Sequence, residues 1–101
     1  MKTFGLSPSD FEILNNILIE PMKQCSVEVY VFGSRAAGKN HPFSDIDILY
    51  VLPGGDAKSP NISEIKESLE ESGITIKVDL VELKDLASSY RDRVLRERVR
   101  I

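Results

Sequence analysis

The stretch VEVYVFGSRAAGKNHPFSDIDILYVL, residues 27–52, decides how this chain folds. Val27 to Phe32 is β-branched and aromatic almost throughout, which is the composition of a largely buried strand. Gly33-Ser34 breaks that run, and a short helical piece can begin at Ser34 and stop near Gly38. Ser44 to Leu52 then reads as a second strand. Its alternation sends Ile46, Ile48, Tyr50 and Leu52 to one side, and Asp45 and Asp47 to the other.

Working outward, Ser7-Pro8-Ser9-Asp10 carries the marks of a helix start. Ser7 can cap, Pro8 suits the first turn, and Asp10 stands where a capping box places its acid. Phe11, Leu14, Ile17 and Leu18 share a helix face, and Pro21 should end or kink that helix. After the second strand, Pro53 to Pro60 reads as a loop. Asn61 with Glu64 signals another capped helix, with Ile62, Ile65 and Leu69 on its face and Gly73 at its stop. A third strand is expected over Ile74–Val81, with Ile74, Ile76, Val78 and Leu80 opposite Thr75, Lys77 and Asp79. Leu83 to Ser89 reads as a short helix. Tyr90, Val94, Leu95 and Val99 mark a final helix rich in arginine. The order is α-β-(short α)-β-α-β-α. It predicts an α+β (α/β) chain with a small mixed β-sheet of three to four strands, helices on one face and an open catalytic face.

Composition bounds the rest. The 101 residues, 42% hydrophobic and 29% charged, predict a single domain spanning 1–101. The lone Cys25 excludes an internal disulfide framework and a multi-cysteine metal site, so a reducing, cytoplasmic setting is expected. No apolar run approaches a membrane span. The net charge of −3 argues against bulk nucleic-acid binding. It is unevenly spread, with six basic against three acidic residues from Lys84 onward, and seven against thirteen before it.

The chemistry concentrates in two places. Asp45 and Asp47 fall two apart on a strand, so their Cα atoms are ~6.6–6.8 Å apart on one face and their carboxylates can converge. Asp79, on the polar side of the third strand, is a natural third carboxylate. Such oxygens are hard ligands suited to Mg²⁺ or Mn²⁺, and two ions can clamp an in-line phosphoryl displacement. The turn Gly33-Ser34-Arg35-Ala36-Ala37-Gly38 offers free N–H groups and a hydroxyl to an anion. A phosphate-binding turn followed ten residues later by Asp-x-Asp suits nucleotide transfer.

Gly33-Ser34-Arg35-Ala36-Ala37-Gly38, Ser44-Asp45-Ile46-Asp47-Ile48 and Val78-Asp79-Leu80-Val81 together resemble the minimal nucleotidyltransferases of the DNA polymerase β superfamily. Tyr90 to Glu97 also looks like the usual family ending. The resemblance implies a polymerase β palm-like fold, with Gly33, Ser34 and Arg35 on the nucleotide phosphates. Asp45, Asp47 and Asp79 would be the catalytic and metal-binding carboxylates, holding Mg²⁺, two ions in the usual arrangement. It implies ATP or another nucleoside triphosphate as donor, and a HEPN-domain toxin as partner, neutralised by AMP transfer onto a tyrosine. Ala37 departs from the Arg or Lys common in the family, leaving Arg35, Lys39 and His41 as the local cations.

Blander readings stand beside these. Asp45 and Asp47 can be a solvated strand end, Asp79 can serve as an ion-pair partner for Lys77 or the arginine tail, and Gly33 and Gly38 can be turn glycines. Cys25, Tyr30 and Phe32 fit a core, and His41 an exposed loop. The arginine-rich ending is a solvated helix face or else a partner or homo-oligomer surface. Two rival functions remain open. One is a non-catalytic antitoxin that neutralises its partner by contact. The other is transfer to a small molecule, for which relatives carry an acceptor domain that this chain lacks.

Overall fold

The computed structural model describes residues 3–54 and 59–101, without the side chain of Tyr90. Helix α1 spans Pro8–Leu14, a π-helical segment covers Asn15–Ile19, and α2 runs over Glu20–Gln24. Strand β1 (Glu28–Phe32) leads into the single turn α3 (Ser34–Ala37) and then β2 (Ile46–Val51). Helix α4 (Ile62–Glu71), β3 (Val78–Glu82), a 3-10 turn (Leu83–Asp85), α5 (Ser88–Glu97) and β4 (Val99–Arg100) complete the chain. The four strands lie in the order β3-β2-β1-β4. β1 is antiparallel to both β2 and β4, and β2 is parallel to β3. This is the mixed α+β sheet that the sequence predicts.

Local chemistry explains most of these boundaries. The Ser7 hydroxyl accepts the Asp10 N–H at 3.1 Å, and the Asn61 side chain accepts the Glu64 N–H at 3.0 Å. Gly38 closes α3 in the left-handed region at φ +72°. Pro21 does not end the first helix. Proline has no N–H and its ring crowds the carbonyl four residues back. The widened turn just before it, in which the Glu20 N–H donates to the Asn15 carbonyl, relieves that crowding. The wider turn also rotates the buried face, which passes from Leu14 and Leu18 to Ile19 and Met22.

Asp10 makes no reciprocal cap. It is 3% exposed, and its carboxylate accepts both the Thr75 N–H (3.0 Å) and the Thr75 hydroxyl. The backbone at Thr75 is therefore held by a side chain rather than by a strand, and β3 starts at Val78 instead of Ile74. The expected helix over Leu83–Ser89 shrinks to the 3-10 turn. Val99 lies in β4 beside β1 rather than in the last helix. The expected loop over Pro53–Pro60 lies partly outside the described residues.

The main core sits on one face of the sheet. Val29, Val31, Ile46, Ile48 and Tyr50 pack there against Leu14, Leu18, Met22 and Leu69. The other face is divided. Over part of it, Tyr30 and Leu49 pack with Leu86 and Val94, so α5 covers them. The strand ends that carry Asp47 and Asp79 lie beyond this second cluster. Among the described residues, no helix is long and apolar enough to cross a membrane.

Candidate active site

The site is assembled by strand register. β2 and β3 run parallel with Asp47 directly beside Asp79, while β1 places Phe32 opposite Asp47. Gly33 follows Phe32, so its backbone arrives against the Asp47 carboxylate. Gly33 has φ +76° and ψ −153°, a conformation reserved almost wholly for glycine. A Cβ there would collide with Asp47 Oδ2. Both the conformation and the approach require glycine.

Asp47 is half-buried. Burial pushes its carboxyl pKa up, and the neighbouring charges of Asp79 and Asp45 push it further, as does the hydrogen bond that its protonated form can donate to Asp79; Lys77 partly offsets them. Asp45 is exposed, immediately before β2, and within electrostatic reach of Asp47. Lys77 Nζ lies 3.4 Å from Asp79 Oδ1, but both groups are well exposed, so the pair contributes little. The Asp79–Lys77 pairing weighed from sequence therefore exists beside the aspartate cluster. A groove of about 380 Å³ lies between α4 and β3, lined by Asp79, Lys77, Lys66 and Glu70 among others.

Apart from the exposed Asp45, the predicted site residues thus separate into three groups. Asp47 and Asp79 are brought side by side, with Gly33 against them. Ser34 is exposed at the start of α3, where the first N–H groups have no carbonyl within the helix. Arg35, expected on the nucleotide phosphates, is turned inward to backbone carbonyls. It is 2% exposed, and its guanidinium donates to the carbonyls of Phe4 (2.9 Å), Pro42 (3.3 Å) and Ser44 (2.8 and 3.1 Å). Its charge holds backbone together and is not presented to a ligand. Among the described residues, no three His, Cys, Asp or Glu side chains close around one point. The donor chemistry nonetheless suits a hard divalent cation, which would relieve the repulsion between Asp47 and its acidic neighbours.

Phe43 was not among the residues singled out from sequence. It is 85% exposed, two positions before Asp45. No local signal marks it, because a phenylalanine between proline and serine gives no indication of which way it faces.

The family described as "Polymerase beta, Nucleotidyltransferase" matches residues 15–101. The chain belongs to that family. Among solved structures, this nucleotidyltransferase domain is similar to a candidate minimal nucleotidyltransferase at 29% identity, with a TM-score of 0.59, covering 89% of this chain and 94% of the other. A toxin–antitoxin structure with AMP-PNP is 25% identical, with a TM-score of 0.60 over 85% of this chain and 70% of the other. A mutant of the toxin–antitoxin MntA-HpeT is also 25% identical, with a TM-score of 0.60 over 86% and 70%. A comparison with curated proteins gives no significant match. The family match begins at Asn15, so it takes in the Gly33-Ser34 turn, β2 and β3 of this nucleotidyltransferase together.

Proposed function

We propose that this nucleotidyltransferase moves AMP from ATP to a hydroxyl on a partner protein, a tyrosine of a HEPN-type toxin, and so acts as an antitoxin. The observation that carries this reading is the Asp47–Asp79 pair set against the backbone of Gly33. Family membership supports nucleotide transfer. The likeness to toxin–antitoxin structures, one of them with AMP-PNP, supports the donor and the kind of partner.

In this reading the acceptor oxygen attacks the α-phosphorus, the bond to the bridging oxygen breaks, and pyrophosphate leaves. Gly33 and Ser34 hold the phosphates through backbone N–H groups and a hydroxyl. Asp79 orients the acceptor and receives its proton. Divalent ions, Mg²⁺ first, held by Asp45, Asp47 and Asp79, would supply positive charge against the charge that builds on the transferring phosphate.

The test is label transfer from α-³²P-ATP with Mg²⁺ in an extract of the source cell. A labelled protein band is expected with the wild type and not with Asp45→Asn. A band of equal strength from Asp45→Asn would remove the aspartates from the chemistry.

The burial of Arg35 favours a second reading. With Ala37 beside it, Lys39 is the exposed lysine or arginine left in the turn region, with the exposed His41 nearby. Neutralisation of the partner by contact alone needs no triphosphate at all. If Asp45→Asn still silences the partner, contact is the mechanism.

A further inference from the structure

The turn between α3 and β2 displays one aromatic ring to solvent, and a buried arginine braces its backbone. Residues 41–44 close on themselves. The Ser44 N–H donates to the His41 carbonyl at 3.1 Å, and the His41 N–H donates to the Ser44 hydroxyl at 2.8 Å. The buried Arg35 guanidinium then grips the carbonyls of Pro42 and Ser44, one on each side of Phe43. These bonds brace the backbone on both sides of Phe43, whose side chain is 85% exposed.

An aromatic residue fixed in water wants a flat apolar partner. A protein interface would need about 800 Å² per side with an apolar centre. Phe43 is the only large hydrophobic side chain exposed among the described residues, and Lys39, His41 and Asp45 around it are exposed polar groups. A single planar ligand fits this surface better than a second protein. The turn also joins the two parts of the proposed nucleotide site, since it starts after the Gly33-Ser34 turn and delivers Asp45. Consecutive Cα atoms are 3.80 Å apart, so the Cα atoms of Phe43 and Asp45 are at most about 7.6 Å apart.

We infer that Phe43 is the stacking platform for the nucleobase of the bound triphosphate, with Arg35 as the positioning residue that holds it out. This rests on the nucleotidyltransferase reading above. Stacking uses the π-face and not the hydrogen-bonding edges, so this contact tolerates any base.

The chain has no tryptophan, so in Phe43→Trp all tryptophan emission comes from this position. MgATP is expected to quench it saturably, and magnesium tripolyphosphate is not. By calorimetry, Phe43→Ala should weaken MgATP about tenfold or more while leaving tripolyphosphate within twofold of the wild type. The proposal falls if Phe43→Ala binds MgATP within twofold of the wild type. It falls equally if tripolyphosphate weakens in parallel, since that marks a disturbed loop. Unchanged MgATP affinity with loss of acceptor labelling would make Phe43 a protein contact and overturn it too. If the wild type binds MgATP normally, only this proposal is lost in those cases. If the wild type binds neither probe, the nucleotidyltransferase reading fails and the platform fails with it.

Discussion

Gly33 packs so closely on Asp47 that its missing side chain is part of the site. Gly33→Ala should cost ~1–3 kcal/mol from backbone strain alone and displace the carboxylate. Urea unfolding and label transfer would both register the change. Asp47→Asn separates stability from chemistry. The native carboxyl titrates above its ordinary range, so the folded state binds a proton that the unfolded state has released. That makes ionised Asp47 a destabilising group at neutral pH. Asp47→Asn should therefore be more stable than wild type at pH 7. The gap should close as pH falls through the carboxylate range, while transfer is lost throughout. Thermal melts at pH 7 and pH 3.5 would check the sign. Gly33 and the aspartates were legible because a two-residue spacing on a strand and a glycine after it have few other meanings. Arg35 was not legible. A cation inside a glycine-bounded turn after a strand reads as a ligand, and only the fold brings the Phe4 carbonyl, 31 residues away in sequence, to its guanidinium.

The elements show the same division between local and distant causes. Both helix caps, the turn at Gly38 and the apolar faces of β1 and β2 follow from neighbours in sequence, and the sequence specifies them well. The chain passes Pro21 through a π turn rather than ending its helix there, a way past a proline that hydrophobic spacing does not announce. The late start of β3 and the brief β4 depend on contacts between distant segments. Asp10 is the clearest of these, since it reaches 65 residues along the chain to Thr75. Asp10→Ala would leave the Thr75 N–H without its partner in a partly buried setting, at ~1–3 kcal/mol. Denaturant titration should show that loss. Faster hydrogen exchange is expected at Thr75 and through the start of β3, close to Asp79.

Across the whole molecule, the arginine-rich ending is largely used internally. Arg98 lies over the Tyr30 ring, 4.1 Å from its centroid, Arg100 pairs with Glu28 at 3.3 Å, and Arg93 pairs with Glu97 at 3.4 Å. The first two contacts join the end of the chain to β1, while the third lies within α5, and the two exposed ion pairs add little stability. Binding of an ion to the folded state alone raises stability by mass action. Under the proposed function, Mg²⁺ should raise the melting temperature of the wild type. Asp45→Asn should respond less, and excess EDTA should reverse the gain. A melting temperature indifferent to Mg²⁺ would argue against the metal assignment.

β3 is one of the two outer strands of this sheet, and it carries Asp79. Outer strands invite other chains to pair with them, and natural sheets discourage this with charge. Asp79, with Lys77 two residues before it on the same face and Glu82 on the opposite face, sits where such a deterrent belongs. Replacing it with asparagine to probe catalysis would also weaken a guard against self-association. An inactive Asp79→Asn sample should therefore be examined by light scattering before its inactivity is assigned to chemistry.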